Sequence, residues 1–187
     1  MKWNDFYKDK LENLEEYKRR FNHKYLPFLE ICKYYIRNLP EPVKIQELGS
    51  GIGVTAELLQ NKIIDVPHEL ELIDNDYLMI YHSTLRNIKA EFTIKDILSL
   101  NKRCDFAYSH GVLEHFTDIQ LRFFKHKAIT DHKVSIHYVP TDKYEYPHKG
   151  DERLCSKEWW EEKLEPDKTF SFNNQKDLIL IWTEMSY

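Results

Sequence analysis

The period of the apolar residues changes near residue 40, and the kind of structure the chain predicts changes with it. From 4 to 38, Tyr7, Leu11, Leu14, Phe21, Tyr25 and Phe28 recur at threes, fours or sevens, which makes one apolar helical stripe. Pro27 starts a second helix in that stretch, and "LPEP" at 39–42 ends it. Beyond this point short apolar runs alternate with helical stretches. "VKIQEL" (43–48), "LELI" (70–73), "AEFTI" (90–94), "CDFAYS" (104–109) and "KVSIHYV" (133–139) read as strands. "TAELLQNKI" and "DYLMIYHSTLRNI" read as helices, and 96–102 as a short helix or turn. A further helix opens at "TDIQ", where Thr117 and Gln120 fit a capping box. "SKEWWEEKL" is a helix beginning at Ser156 and stopped by Pro166. "KTFSFNN" and "LILIWTEM" close the chain as two strands joined by a polar turn. Strands alternating with helices predict an α/β fold, a mostly parallel sheet covered on both faces, with the closing hairpin added at one edge.

Composition narrows the class. The chain has 187 residues, 42% of them hydrophobic and 14% aromatic, enough for one domain with a substantial core. Charges are mixed and the net charge is −4, which argues against a nucleic-acid-binding surface. One local exception is "YKRRFNHK" at 17–24, a basic stretch on a helix. It reads first as a solvated helix face and second as a phosphate-binding patch. Cys32, Cys104 and Cys155 are far apart and odd in number, so neither a disulfide framework nor a zinc site is expected. No run has the length of a membrane span, and "MKWNDFYKDK" lacks the apolar core of a signal peptide. A soluble, cytoplasmic protein is expected.

The candidate chemistry starts at "ELGSGIGVT" (47–55). Only five glycines occur in the chain, and three of them, Gly49, Gly51 and Gly53, stand at alternate positions here. Glycine is costly to order and useful where φ is positive or a ligand approaches the backbone. A strand that ends in glycines and opens a helix is by default a nucleotide or phosphate site. The dinucleotide fingerprint G-x-G-x-x-G fails, because Val54 stands where its third glycine belongs. A P-loop fails too, since no Gly-Lys-Ser/Thr follows. The second strand ends in "LIDND", where Asp74, at a solvent-facing strand end, can accept both hydroxyls of a ribose. The third ends in "IKDIL", where Asp96 could accept an adenine amine while Ile97 covers the ring. The fourth ends in "YSHGVLEHF". These strand ends lie on one carboxyl edge, where open α/β sheets bind ligands.

In order and spacing, "ELGSGIG", "LIDND", "KDIL" and "SHGVLEHF" resemble the motifs of class I S-adenosylmethionine-dependent methyltransferases, most of all the small-molecule type 11/12 group. The likeness covers 43 to about 165. It implies a Rossmann-like seven-stranded sheet of order 3-2-1-4-5-7-6 and S-adenosyl-L-methionine as cofactor. Carried over, Glu47, Gly49, Ser50, Gly51 and Gly53 would hold the methionine part of the cofactor. Asp74 with Asn75 would bind the ribose, and Asp96 with Ile97 the adenine. Ser109 and His110 would border the amino-acid moiety and the methyl group. Residues 43–187 would form the cofactor-binding core, with the helices of 1–42 forming part of the substrate pocket.

Methyl transfer from a sulfonium is an in-line displacement that depends mostly on alignment in a dry site. A general base is needed only where the acceptor must lose a proton. His110, Glu114, His115, His137 and Tyr138 are candidates, and His110, as a neutral imidazole near pKa 6.5, is the catalytic choice. His137 lies inside a strand and reads as a satisfied core residue, and no helical His spacing supports a metal. The missing Asn/Asp-Pro-Pro-Tyr/Phe tetrapeptide disfavours a nucleic-acid acceptor, leaving a small molecule methylated on O, N or C. Its pocket would combine the N-terminal helices with the loop 140–156, where Tyr144, Tyr146 and His148 are suited to stacking. Two alternatives stand: a cofactor-binding or partner-activating subunit without catalysis, and a dinucleotide-dependent oxidoreductase.

Overall fold

Apolar strands and amphipathic helices assemble, in a computed structural model that describes residues 3–144 and 152–184, into one seven-stranded sheet with helices on both faces. Three helices come first: α1 (Trp3–Glu12), α2 (Leu14–Lys24) and α3 (Leu26–Arg37). The sequence pattern predicted two. The stripe is continuous, but Asn13 and Tyr25 leave helical geometry, at φ/ψ of −121°/45° and −104°/20°. The backbone leaves the helical region at both residues, so three shorter helices share the stripe. Pro27 falls in the first turn of α3, as expected of a residue without an N–H.

The core elements follow as β1 (Val43–Leu48), α4 (Val54–Lys62), β2 (His68–Asp74), α5 (Tyr77–Thr84), β3 (Glu91–Ile94) and β4 (Cys104–His110). Then come α6 (Asp118–Thr130), β5 (His132–Pro140), α7 (Lys157–Leu164), β6 (Lys168–Phe172) and β7 (Asp177–Thr183). Short 3-10 turns occupy Ile97–Ser99 and Leu113–His115. The capping box at α6 is present, with Thr117 N donating to Gln120 Oε1 at 2.9 Å and Gln120 N donating to Thr117 Oγ1 at 3.3 Å. Strand order is β3-β2-β1-β4-β5-β7-β6, as the resemblance implied. β7 alone runs against its neighbours, pairing antiparallel with both β5 and β6.

Alternation along the strands divides the core into two layers. Ile45, Leu72, Phe106, Tyr108, Ile136 and Ile179 pack on Phe28, Leu29, Cys32 and Ile36 of α3 and on Ala56 and Leu59 of α4. On the other face Leu48, Ile73, Ala107, Val139, Leu180 and Trp182 meet Leu121, Phe124 and Ala128 of α6 and Trp160 and Leu164 of α7. A third, smaller cluster joins Phe21, Ile52, Val54 and Met79 to Trp3, Tyr7 and Tyr17, which seats α1 and α2 over the loop after β1. Among the described residues no helix is long and apolar enough to cross a membrane.

Candidate active site

Parallel strands bring their carboxyl ends to one edge, where the loops leaving β1 to β4 converge. β1 runs into the glycine turn, in which Gly49 and Gly51 have φ of +72° and +53°. L side chains rarely adopt that backbone, and there is no room for one. A Cβ on Gly51 would lie 2.9 Å from the Tyr7 hydroxyl, and one on Gly49 would lie 2.6 Å from Val112 Cγ2.

Two cavities share a wall over this turn. The smaller, about 200 Å³, is bordered by Gly49, Gly51, Asp74, Asn75, Asp96 and Ile97 among others. The larger, about 610 Å³, is bordered by Glu47, Gly49 and Ser50 and by aromatic side chains of α1 and α2. Trp3, Tyr7, His110, Gly111 and His115 border both. Nine of the eleven residues the resemblance singled out are therefore gathered in one place.

Gly53 and Ser109 border neither cavity. A Cβ on Gly53 would meet Ser83 Oγ at 3.0 Å and Ile88 Cδ1 at 3.1 Å, so its smallness lets α4 start close against α5. Ser109 is one residue out of phase with His110 and points to the opposite face of the sheet. There it is fully buried and bonded to His137 Nδ1 at 2.8 Å. Ser135 Oγ meets His137 Nε2 at 2.6 Å, which satisfies both ring nitrogens and makes His137 the core residue its strand position predicted.

Asp74 also departs from expectation. It is not solvent-facing but only 9% exposed, and both its oxygens hold the loop. Gly51 N donates to Oδ2 and Asp76 N to Oδ1, each at 2.9 Å. Burial raises its pKa, against the pull of those N–H groups. Asp96, in contrast, is exposed and caps the 3-10 turn, its Oδ1 accepting from Leu98 N at 2.9 Å.

Glu47 is a strongly perturbed carboxyl of the site. It is 1% exposed, and burial pushes its pKa up to about 8 despite the hydroxyl of Tyr108, which donates to Oε2 at 3.1 Å. Glu114 is also buried and borders the larger cavity. The Tyr7 hydroxyl lies among Asp74, Glu47 and Glu114; burial first, then these charges and Tyr17, raise its pKa. The glycine turn is thus ringed by acids in a poorly solvated place, a setting that favours a bound cation.

His110 sits where the two cavities meet, but not with the basicity expected of it. Its ring stacks on Tyr138 at 4.2 Å and 12°, with Tyr25 at 4.2 Å and Phe21 at 4.7 Å on its other sides. Burial first, and then the nearby Lys24, lower its pKa to about 3. Its Nε2 is buried and has no hydrogen-bond partner among the described residues. Ser50 Oγ, on the wall of the larger cavity, is orphaned in the same way.

Sequence pattern alone did not single out Trp3, Tyr7, Tyr25 or Val112 as site residues. Tyr7 and Tyr25 belong to the apolar stripe of the N-terminal helices, and the stripe does not tell which tyrosine faces a cavity. Of the loop 140–156, Pro140, Tyr144, Glu152 and Leu154 border the larger cavity, while Tyr146 and His148 lie outside the described residues.

No protein-family model matches the sequence, and comparison with curated proteins finds no similar chain. Solved structures do resemble it. The plantazolicin methyltransferase BpumL, in complex with SAH, is 16% identical with a TM-score of 0.63, over 94% of this chain and 90% of that one. Magnesium protoporphyrin IX methyltransferase (ChlM) from Synechocystis PCC 6803, with bound SAM, is 16% identical with a TM-score of 0.57, over 83% and 77%. The PH0226 protein from Pyrococcus horikoshii OT3 is 14% identical with a TM-score of 0.68, over 90% and 92%. Identities this low speak for fold, and with the strand order they agree on one: this chain has the fold of the class I S-adenosylmethionine-dependent methyltransferases.

Proposed function

We propose that the protein is a methyltransferase that binds S-adenosylmethionine across the two cavities and methylates a small molecule held in the larger one. The observation that carries this reading is the ring of buried acids, Glu47, Asp74 and Glu114, around a positive-φ glycine turn. A ligand with a sulfonium and an ammonium can draw a proton off these buried acids and pair with the carboxylate left behind, and a dinucleotide pyrophosphate cannot. The orphaned Ser50 hydroxyl offers a further polar contact. Asp74 and Asn75 would hold the ribose, Asp96 and Ile97 the adenine, and Glu47, Gly49, Ser50 and Gly51 the methionine part. When bound, the cofactor supplies a methyl carbon to the acceptor's lone pair while the broken C–S bond leaves its electrons on sulfur.

The chain's own contribution is alignment and exclusion of water. Helices α1 and α2 close the larger cavity with Trp3, Phe6, Tyr7 and Tyr17. His110 stays neutral at any physiological pH, so we assign it the orientation of the acceptor through a hydrogen bond at Nε2 rather than storage of a proton.

S-adenosylmethionine or S-adenosylhomocysteine at a hundred times Kd is expected to stabilise the protein by about 2.7 kcal/mol in thermal unfolding. NAD and NADP should not. A shift with NAD and none with the sulfonium cofactor overturns the reading, and turnover assayed over a panel of small acceptors separates an enzyme from a binding subunit. Asp74→Ala is expected to cost about 10- to 100-fold in S-adenosylhomocysteine affinity by calorimetry, the loss of charge-assisted bonds worth roughly 1.5–3 kcal/mol. The melting temperature should fall as well, because Gly51 N and Asp76 N lose their acceptor. Wild-type affinity in that variant removes Asp74 from the cofactor site.

A further inference from the structure

The basic stretch at 17–24 has two different faces. On α2, Tyr17, Arg20, Phe21 and Lys24 stand three, one and three residues apart, and all four border the larger cavity. The arginines and Lys18 already have carboxylates: Lys18 Nζ pairs with Glu57 at 2.6 Å, and Glu16 takes both Arg19 Nε at 2.7 Å and Arg20 Nε at 2.5 Å, which leaves Lys24, among the described residues, as the cation of α2 on this wall without an acid. Lys10 of α1 also borders the cavity, its ammonium 3.1 Å from the centroid of the Phe6 ring. Lys24 Nζ lies 4.7 Å from the ring centroid of Tyr25 and 5.0 Å from that of Tyr144, and donates to Tyr144 Oη at 2.8 Å. No carboxylate pairs with Lys24 among the described residues. The acid behind that tyrosine, Asp177, is buried and already accepts from Tyr138 Oη at 2.6 Å, from Tyr144 Oη, and from Asn173 Nδ2 at 2.5 Å.

The cavity is therefore divided by charge. Acids gather at the glycine turn, and cations stand on the α1–α2 wall among aromatic rings. Ring faces hold part of a cation's charge, but a desolvated ammonium gains more from an anion, through a charge-assisted hydrogen bond in a weakly polar surround. Partial desolvation already lowers the pKa of Lys24. Between its cations and His110 the wall is aromatic, with Phe21, Tyr25 and Tyr138 within ring contact of the imidazole.

We propose that the acceptor is a small aromatic anion, its carboxylate or phosphate held by Lys24 and its ring packed among Phe21, Tyr25 and Tyr138. This rests on the methyltransferase reading and names its substrate class. A cationic amine would be repelled by the same wall, and a neutral aromatic compound would leave Lys24 without its counter-charge.

Calorimetry on the protein saturated with S-adenosylhomocysteine tests this, with 4-hydroxybenzoate, phenyl phosphate and 4-hydroxybenzamide as probes. At least one anion is expected to bind tenfold or more tightly than the amide, and which one binds separates a carboxylate from a phosphate site. Lys24→Gln should weaken that anion at least tenfold and leave the amide within about twofold. Arg19→Gln removes an equal charge from the other face of α2 and should change nothing. The proposal is overturned if the amide binds as well as the anions, if neither anion binds, or if Lys24→Gln and Arg19→Gln act alike. S-adenosylhomocysteine is titrated separately: its failure to bind defeats the cofactor reading, whereas intact cofactor binding without an anion preference defeats the acceptor class alone.

Discussion

Gly51→Val is expected to weaken S-adenosylhomocysteine binding by about 10³-fold or more in calorimetry while the protein still folds. Three effects act in one direction. At φ of +53° a β-branched side chain is strained, at a cost of roughly 1–3 kcal/mol. Its Cβ would lie 2.9 Å from the Tyr7 hydroxyl, so α1 has to give way and reopen the wall it builds. The added methyl groups also fill the side of the smaller cavity that Gly51 borders. The N–H of Gly51 is tied to Asp74, so a shifted turn disturbs the proposed ribose acceptor too. Circular dichroism should show the fold retained, since the core layers on both faces of the sheet do not include this residue. A folded variant that binds at wild-type affinity would reduce the turn to a structural role.

How much of this was legible beforehand can be traced residue by residue. Strand and helix placement were carried by periodicity and capping residues, signals that are local in sequence: Thr117 with Gln120, Pro27 and Ser156 all stand where their chemistry requires. The strand order came only with the motif resemblance. The strand-end residues of β1 to β3 were legible because topology fixes which ends share an edge. Ser109 was not, because assigning it needs the phase of β4, which places it opposite His110 and against His137. The basicity of His110 was illegible for another reason. It is set by Phe21 and Tyr25, which lie more than eighty residues away in sequence and enter the site only through the packing of α2 and α3. Tyr7 shows the same limit. An apolar stripe tells that a helix packs, and says nothing of the glycine turn it packs on.

Glu47 is expected to make both stability and cofactor affinity depend on pH. Its pKa in the folded protein is about 8 against an ordinary 4.5, and the cause is burial; the bonds from Tyr108 and Thr55 pull the other way. The folded state therefore holds a proton that the unfolded chain releases between those values. Its contribution to stability is fully present below about 4.5 and is lost as pH rises through about 8, on the order of a few kcal/mol at 1.36 kcal/mol per unit. Thermal unfolding should show the protein more stable at pH 6 than at pH 8, and Glu47→Gln should flatten that difference. Ligand binding has the opposite slope. If Glu47 faces the cofactor's ammonium, binding ionises the carboxyl and expels its proton, so affinity for S-adenosylhomocysteine rises up to tenfold per pH unit and levels off near 8. Calorimetry in buffers of different ionisation enthalpy should count close to one proton released at pH 7, and none in Glu47→Gln. A wild-type protein that binds the ligand with no proton release places the ammonium elsewhere, with Asp74 and Glu114 the remaining buried acids at the turn.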